Sequence, residues 1–348
     1  MTKTEIDSHR LIFHPRRVAD WLDGKMTYPI YVEVGPTNRC NHRCVFCALD
    51  WMRHGGVDFE TDLMLKTLSE MGRVGVKSIM FAGEGEPFLH NDIGRFVSHA
   101  KENGLDVAIT TNGAAMDEEQ ARACLPHLSW IRVSLDAGSP ETYAELHGVN
   151  PKEFSKVLQN IETVVRIKRE KHFTATIGVQ VLILPQNSKE LGTIAKRIKE
   201  AGADNIQFKP YSHHPLSRNN FSADFNGLEQ EVRNFEDESF QVSFRKETIE
   251  RIESGKNYSE CYGLPFFALI DARGNIVPCN MFYNNPDFTY GNLHEQSFAE
   301  IMSGERRKQV MKKIQARGIE ICRKGCRLEV VNRYLHEIKN PHPHVNFI

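Results

Sequence analysis

The chain has 348 residues, of which 40% are hydrophobic, and this is enough to bury one large core and a smaller appended unit. Its 44 Lys and Arg residues and 45 Asp and Glu residues leave a formal net charge of -1, so no overall basic field predicts a nucleic-acid partner or a membrane partner. The N-terminal stretch lacks the apolar core of a signal peptide, and no run approaches the roughly 20 apolar residues of a membrane span, so we expect a cytoplasmic protein with a small-molecule partner.

Strand and helix patterns follow one another along most of the chain. Residues 1–29 are polar with a few aromatic side chains, and they predict an N-terminal extension with a short amphipathic helix that covers one end of the fold. Within residues 30–215, apolar runs alternate with helical patterns, and the runs are Tyr31–Val34, Ser78–Ala82, Asp106–Thr110, Trp130–Leu135, Thr176–Leu184 and Asn205–Lys209. This alternation predicts an α/β fold whose parallel sheet carries helices on its outer face and curls into a partial (β/α)6, TIM-like barrel.

Three cysteines follow the first predicted strand in the spacing C-x3-C-x2-C, namely Cys40, Cys44 and Cys47. In a reducing compartment, eight cysteines favour metal or redox chemistry over disulfides. Three thiolates hold three irons of a four-iron cubane and leave the last iron open to a ligand that is not protein. The alternatives are a zinc site that His42 or His54 completes, or a set of structural thiols.

Phe46 precedes the last of these cysteines, and the resulting motif C-x3-C-x-F-C resembles the signature of the radical S-adenosylmethionine (radical SAM) enzymes. The resemblance implies that the three cysteines bind a [4Fe-4S] cluster, and that S-adenosylmethionine (SAM) chelates its open iron near Phe46. It also implies that SAM is cleaved to a 5'-deoxyadenosyl radical, which takes a hydrogen atom from the substrate. The electron donor it implies is a flavodoxin- or ferredoxin-type protein.

The loop after the second predicted strand also resembles this family, and such barrels place their chemistry at the C-terminal ends of the strands. Its sequence GEGEP is similar to the G-G-E-P motif that binds the SAM amino group, although a glutamate replaces the first of the two glycines. The residues that the resemblance places at the cofactor are Gly83, Glu84, Gly85 and Glu86. A plain turn is the alternative interpretation of this loop.

The exits of the next three strands continue the resemblance. Thr111 and Asn112 are similar to the T-N-G segment beside the SAM carboxylate. Ser134 is similar to the serine that approaches the ribose, and Asp136 to the aspartate near the substrate. Asn187 is expected near adenine or substrate. The alternatives are ordinary turn chemistry for these loops and a helix N-cap at Asn187 or its neighbour.

The sixth strand exit has the highest density of acid-base groups. Lys209 and Tyr211 share a face if the strand persists, and they are candidates for substrate binding or proton transfer, with Asp136 the next candidate. Residues 216–256 are charged and periodic, and they predict a linker with one solvated helix.

A second cysteine group lies in residues 257–348, and it comprises Cys261, Cys279, Cys322 and Cys326. The segment FFALIDARGNIVPCN inside it predicts a β-hairpin. A four-cysteine zinc ribbon is one interpretation. The pattern C-x12-G-x4-C instead resembles the auxiliary-cluster domain of the SPASM and twitch branch, which implies a second [4Fe-4S] cluster that is saturated by four thiolates and moves an electron. The eighth cysteine, Cys124, is predicted to be a buried small hydrophobe on an outer helix.

The resemblance favours oxidation of a carbohydrate-like substrate, such as a sugar, nucleotide sugar or aminocyclitol, with the second cluster as electron acceptor. The enzyme is then a radical SAM oxidoreductase. The alternatives are a peptide-modifying maturase that forms thioethers or crosslinks, a redox-neutral epimerase or dehydratase, and a non-enzymatic iron-sulfur electron carrier. The residues before the first strand are too few for the peptide-binding extension of the maturases, and an idle set of SAM motifs argues against the electron carrier.

Overall fold

The computed structural model describes residues 9–52 and 54–347, which form an α/β fold around one ten-stranded sheet. The strands are β1 (Tyr31–Val34), β2 (Ser78–Phe81), β3 (Asp106–Thr111), β4 (Leu128–Ser134), β5 (Thr176–Ile183), β6 (Asn205–Pro210), β7 (Gln241–Phe244), β8 (Phe267–Ile270), β9 (Asn275–Val277) and β10 (Gly291–Asn292). The helices are α1 (Pro15–Leu22), α2 (Thr61–Arg73), α3 (Ile93–Glu102), α4 (Glu118–Cys124), α5 (Pro140–His147), α6 (Lys152–Lys171), α7 (Leu191–Glu200), α8 (Leu228–Arg233), α9 (Lys246–Ser254), α10 (Phe298–Ser303), α11 (Glu305–Arg317) and α12 (Glu329–Lys339).

The strand order along the sheet is β10-β9-β8-β1-β2-β3-β4-β5-β6-β7. Strands β1 to β6 are neighbours in chain order and pair in parallel, as the alternation of strand and helix patterns predicts. The predicted parallel sheet is therefore confirmed. Because β7 and β10 are its edges, the sheet is open and the barrel is partial.

The two faces of the sheet differ in polarity, because successive residues of a strand point to opposite sides. On the outer face, side chains such as Val34 and Phe81 are fully buried in one apolar core. On the inner face, Arg132 of β4 pairs in register with Gly178 of β5, which pairs with Asn205 of β6. The inner face thus carries polar side chains on β4 and β6 beside a small apolar cluster that includes Met80 and Ala108.

The segment 216–256 differs from its prediction as a linker with one helix. It contains the two helices α8 and α9, and between them β7 pairs in parallel with β6. Val242 and Phe244 of β7 are buried in the main core. The alternation of polar and apolar residues in this strand is short and lies between charged residues, so it was not recognised as a strand. The sequence prediction of a linker was therefore wrong.

The C-terminal segment extends the other edge of the sheet. Strand β8 pairs in parallel with β1, and β9 folds back on β8 in antiparallel fashion, which confirms the predicted hairpin. Gly274 ends the turn with a φ of 80°, a conformation that favours glycine. The second cysteine group therefore belongs to a segment that is continuous with the barrel sheet.

Helix α1 lies near the start of the barrel strands, where the Arg17 guanidinium donates to the carbonyl of Gly75 at 2.9 Å. Its buried residue Val18 packs in a cluster with Tyr262 and Leu335 of the C-terminal segment. The short N-terminal helix thus joins the two parts of the fold. Across residues 9–52 and 54–347, none of the helices combines the length and the apolar character of a membrane span.

Candidate active site

The first cysteine loop, residues 40–47, follows β1 and lies against the C-terminal end of α5. The backbone N–H of Arg43 donates to the carbonyl of His147 at 3.0 Å, and the backbone N–H of Val45 donates to the carbonyl of Leu146 at 2.9 Å. Gly148, which ends α5, has a φ of 63°, and a Cβ there would collide with the Arg43 carbonyl. Glycine is therefore required where the loop and the helix meet.

The three thiols of this loop are partly buried and lie close enough to affect one another electrostatically. Burial raises the pKa of Cys40 to about 11, and it also raises the pKa of Cys44 and Cys47. Such thiols ionise only when a cation compensates for the lost solvation. Three convergent sulfurs in this setting fit an iron cluster.

Aromatic rings form the floor beneath the loop. The ring of His147 stacks on Tyr143 at 4.1 Å and meets Phe46 edge-on at 5.2 Å. His42 is buried, and both of its ring nitrogens lack a hydrogen-bond partner among the described residues. Ligand atoms of His42, Cys44 and His147 lie within 4.8 Å of one another, so a metal ion held there would compete with a cluster for Cys44.

Glu86 joins the exits of β2 and β3. Its buried carboxylate accepts hydrogen bonds from the Thr111 hydroxyl at 2.6 Å, the Asn112 N–H at 2.7 Å and the Phe88 N–H at 3.1 Å. The Asn112 amide donates in turn to Asn41 of the cysteine loop at 2.7 Å. Three segments that the sequence singled out separately are therefore in contact, and their binding of SAM stays a prediction.

Glu84, which departs from the G-G-E-P pattern, faces the C-terminal hairpin. Its carboxylate accepts from the Ala272 N–H at 2.7 Å and lies 4.0 Å from the Arg273 guanidinium. Gly83 adopts a φ of 106°, and Gly85 packs so tightly on the segment before the cysteine loop that a Cβ would collide with the carbonyls of Thr37 and Arg39. Glu84 thus connects the two cysteine-bearing regions, whereas we predicted it as a cofactor contact.

Asp136 is fully buried at the exit of β4. Its carboxylate accepts from the Ser134 hydroxyl at 2.7 Å and from the Leu182 N–H at 2.5 Å, and burial raises its pKa to about 6. Its own N–H donates to Nε2 of His147 at 3.3 Å. Because burial lowers the pKa of His147, the ring is neutral and carries its proton on Nδ1, 3.6 Å from the Cys44 sulfur.

The amide group of Asn187 is fully engaged with backbone. It donates to the carbonyls of Asp136 and Leu182, both at 2.8 Å, and accepts from the Leu184 N–H at 2.9 Å. The alternative of a helix N-cap is wrong, because α7 has its N-cap at Glu190. Asn187 therefore positions the Asp136 backbone, and a direct contact with cofactor or substrate stays a prediction.

Lys209 lies at the end of β6 on the inner face, and its ammonium makes no hydrogen bond or ion pair with any described residue. Burial, followed by the positive charge of nearby arginines, lowers its pKa to about 7. Those arginines are Arg245, Arg323, Arg132 and Arg327. An amine of this pKa can accept a proton near neutral pH.

Tyr211 follows the strand, since β6 ends at Pro210, so it does not continue the face of Lys209. Its hydroxyl donates to the Asn219 carbonyl at 2.9 Å, and its ring meets Phe221 edge-on at 5.2 Å. It also packs in a small cluster with Phe46. The structure therefore gives Tyr211 a place in the wall beside the cysteine loop, and its catalytic role stays a prediction.

The thiols of the second cysteine group converge although they come from distant segments. Besides burial, the charges of Cys326 and Cys322 raise the pKa of Cys261, and those of the three other cysteines raise the pKa of Cys279. Burial raises the pKa of Cys261 to about 12, and that of Cys279 and Cys322 as well. The Asn332 amide donates to the Cys261 sulfur at 3.6 Å. Four convergent thiols saturate a cubane.

The segment that carries Cys322 and Cys326 also reaches the barrel through two arginines. Arg323 donates to the carbonyl of Ser212 at 2.6 Å and to its hydroxyl at 3.0 Å. Arg327 forms an ion pair with Glu33 of β1. The second cysteine group thus lies next to the inner face where Lys209 stands.

Two family models match this chain. The model described as the radical SAM superfamily matches residues 34–198, and the SPASM model, described as an iron-sulfur cluster-binding domain, matches residues 261–327. The chain belongs to the radical SAM superfamily. The first range holds the first cysteine loop with the SAM motifs, and the second range holds all four thiols of the second group.

Relatives of this radical SAM protein differ in their activities. A tungsten-containing aldehyde ferredoxin oxidoreductase cofactor-modifying protein of Pyrococcus furiosus is 24% identical over 80% of this chain and 81% of its own length. A GTP 3',8-cyclase of Limosilactobacillus fermentum is 34% identical over 46% of this chain, and the match spans about half (48%) of that relative. The crystal structure of Streptococcus suis SuiB bound to precursor peptide SuiA has a TM-score of 0.67 at 16% identity, covering 89% of this chain and 74% of that one.

The cofactors of this radical SAM enzyme are two [4Fe-4S] clusters, one in each matched domain, and SAM. The three thiols of the first cysteine loop and the four of the second group fit these clusters in number and burial. The zinc interpretations and the electron-carrier alternative are therefore set aside. Cys124 is 1% exposed on α4, as predicted.

Sequence analysis missed several residues that shape the site. Tyr143, His147 and Gly148 support the first cysteine loop, yet they lie about 100 residues further along in an ordinary helix and its cap. Arg323 and Arg327 follow the last two cysteines directly, and this repeated Cys-Arg pair is the one signal that could have indicated them. Arg132 precedes the S-L-D motif on the same strand face.

Proposed function

We propose that this radical SAM enzyme is an oxidoreductase that acts on a hydroxyl-bearing, carbohydrate-like small molecule inside the partial barrel. In this proposal, Cys40, Cys44 and Cys47 hold the first cluster. SAM is bound by the network around Glu86 and by the following side chains: Thr111, Asn112, Ser134. Bound SAM and the first cluster supply the 5'-deoxyadenosyl radical that accepts a hydrogen atom.

The observation that carries this proposal is a buried lysine that can accept the hydroxyl proton. Lys209 stands on the inner face with a pKa of about 7 and without a hydrogen-bond partner among the described residues. The C–H hydrogen leaves as an atom, the hydroxyl proton goes to Lys209, and one electron leaves, so that the C–OH group becomes a carbonyl. Asp136 is less suited, because both oxygens of its carboxylate already accept hydrogen bonds.

The electron acceptor in this proposal is the second cluster, held by Cys261, Cys279, Cys322 and Cys326. Saturation by four thiolates leaves it no iron for substrate, so electron transfer is the chemistry that remains. Arg327, which follows Cys326, pairs with Glu33 on the inner face, and this contact supports a short path from substrate to the second cluster. A flavodoxin- or ferredoxin-type protein supplies the electron that starts SAM cleavage.

The test is product analysis with anaerobically reconstituted protein, SAM and a chemical reductant. Sugars, nucleotide sugars and aminocyclitols are screened for a carbonyl product formed in equal amount to 5'-deoxyadenosine. Replacing Cys322 and Cys326 with Ala should stop the carbonyl product while 5'-deoxyadenosine still forms. A product that keeps the oxidation state of the substrate would refute oxidation and favour epimerisation or dehydration.

Peptide modification is a second candidate, supported by a groove of about 700 Å3 between the exit of β6 and α9. Its apolar lining includes Tyr211, Phe221, Phe225, Ile249 and Ile252. The fold is also that of SuiB, which has been crystallised with a precursor peptide. Phe225→Ala should impair peptide modification and leave small-molecule oxidation unchanged, since Lys209 does not line this groove.

A further inference from the structure

The inner face of the barrel carries a cluster of positive charge that comes from four separate segments. Arg132 lies on β4 and Lys209 on β6, and the Arg245 N–H donates to the Phe208 carbonyl at 3.0 Å, which places Arg245 directly after β7 beside them. Arg323 and Arg327 belong to the segment of the second cysteine group. Arg323 donates to Ser212, and Arg327 pairs with Glu33. These charges are close enough to Lys209 to affect its protonation.

Two acidic residues near this cluster, Glu33 and Asp136, are already engaged. Glu33 pairs with Arg327, and the Asp136 carboxylate accepts from Ser134 and from the Leu182 backbone. Arg323 and Arg327 lie close to the sulfur of Cys326, so a cluster ligated there would offset part of their charge. In contrast, Arg132 makes no hydrogen bond or ion pair with a residue of the described chain.

Two residues of the inner face, Arg132 and Gln207, have buried polar atoms without partners in the described part of the chain; Gln207 lies two strands from β4, in register with Ser134 through Gln180. Gln207 is 1% exposed, and neither its amide nitrogen nor its amide oxygen has a hydrogen-bond partner among the described residues. The same holds for Nε of Arg132, whose guanidinium is held over the Trp130 ring at 4.8 Å. A buried polar group without a partner costs free energy, so these donors point to a ligand.

We infer that the substrate carries an anionic group, a carboxylate or a phosphate, which Arg132 and Gln207 bind on the inner face with Arg245 and Lys209 at its edge. The chemistry suits an anion, because a guanidinium offers paired donors to two oxygens and the Gln207 amide offers one more. This inference rests on the proposed function, since it describes the substrate of the same site.

The carboxylate of SAM is the competing occupant. Ser134, which we expect near the SAM ribose, is two residues beyond Arg132 on the same face of β4, so Arg132 lies deeper in the barrel. An anion held by Arg132 and Gln207 therefore extends from below Ser134 up to the level of Ser134, because Gln207 is in register with Ser134 through Gln180. Saturation with SAM separates the two occupants experimentally.

The test is equilibrium dialysis of the reconstituted, SAM-saturated holoprotein against radiolabelled inorganic phosphate and, separately, radiolabelled succinate at constant ionic strength. We expect saturable binding of one anion per chain for at least one of the two probes. Arg132→Gln should weaken that binding roughly tenfold, Gln207→Leu by a smaller factor, and Arg132→Lys should retain most of it. Arg95→Gln is the matched control, because Arg95 is an exposed arginine on α3 paired with Asp92.

Each outcome decides the inference. Phosphate binding that depends on Arg132 indicates a phosphorylated substrate, and succinate binding indicates a carboxylate. Absence of saturable binding, equal affinity of wild type and Arg132→Gln, or binding that disappears once SAM is present would overturn the inference. Iron content checks the fold of each variant, and if Arg132→Gln loses iron, Gln207→Leu decides. Failure of the wild type to form 5'-deoxyadenosine is a separate result that rejects the proposed function alone.

Discussion

The two cysteine groups of this protein differ in how they are built and in what surrounds them. The first is local in sequence, docks on α5 and lies beside the buried carboxylates of Glu86 and Asp136. The second is assembled from distant segments and lies beside the cations Lys256 and Arg323. Nearby positive charge stabilises the reduced state of a cluster, which suits an electron acceptor. The contrast is consistent with the proposal that the cluster with an open iron binds SAM and that the four-thiol cluster accepts an electron.

The largest expected effect tests the first group. Replacing Cys40, Cys44 and Cys47 with Ala should leave about four of about eight irons per chain, because only the second cubane remains. It should also abolish 5'-deoxyadenosine formation. Iron analysis and chromatography measure the two effects, and Cys124→Ala is the control, since Cys124 lies on α4 away from both groups. SAM cleavage by the triple variant would contradict the assignment.

The complementary change tests the second group. Replacing Cys261 and Cys279 with Ala should also leave about four irons per chain. The first cluster and SAM cleavage should persist, while oxidised product is lost because the electron has no acceptor. One zinc per chain with only four irons in anaerobically purified wild-type protein would show that this group is not a cluster site.

Lys209→Met should keep both clusters and SAM cleavage while lowering product formation by about a hundredfold, the usual contribution of a general base. The pH dependence can be measured without substrate, by competitive acylation of Lys209 with free Nα-acetyl-lysine as internal standard and mass spectrometry as readout. Only the neutral amine reacts, so labelling should rise as pH increases through about 7. A labelling midpoint near pH 10, together with normal product formation by Lys209→Met, would show that Lys209 is not the proton acceptor and would favour Asp136.

Gly148→Ala should loosen the first cysteine loop, because its Cβ meets the Arg43 carbonyl at a positive φ. We expect several-fold lower iron retention at the first site and lower SAM cleavage. Gly104→Ala is the matched control, since Gly104 has a φ of 77° with nothing within 4 Å of the added Cβ. Both variants share a strain cost of about 1 kcal/mol, so equal iron loss in both would show that the collision is unimportant.

The smallest expected effect concerns Tyr211. Tyr211→Phe removes the hydrogen bond to the Asn219 carbonyl, which contributes about 1 kcal/mol, and keeps the ring against Phe221. Product formation should fall a few-fold, with both clusters intact. A loss as large as that of Lys209→Met would mean that the hydroxyl acts on the substrate directly.

The sequence by itself determined the repeated strand-helix order, the cysteine spacings and the loops at the strand exits. These features are local, because a strand of alternating or buried residues and a short loop of ligands are written in consecutive positions. The prediction failed for β7, whose four residues lie between charged helices, since an edge strand of that length has too weak a pattern to recognise. The alternative of a helix N-cap at Asn187 is wrong because α7 begins later, and the predicted place near adenine or substrate stays a prediction.

Only the tertiary structure decided which side chains meet across these elements. The contact of Glu84 with the C-terminal hairpin, the support of Cys44 by His147, and the approach of Arg327 to Glu33 each join residues that are far apart in the chain. The protonation of Lys209 was decided in the same way. Nothing in the sequence distinguishes Lys209 from the other lysines. Its pKa is about 7 because the side chain is buried and four arginines from other segments lie nearby.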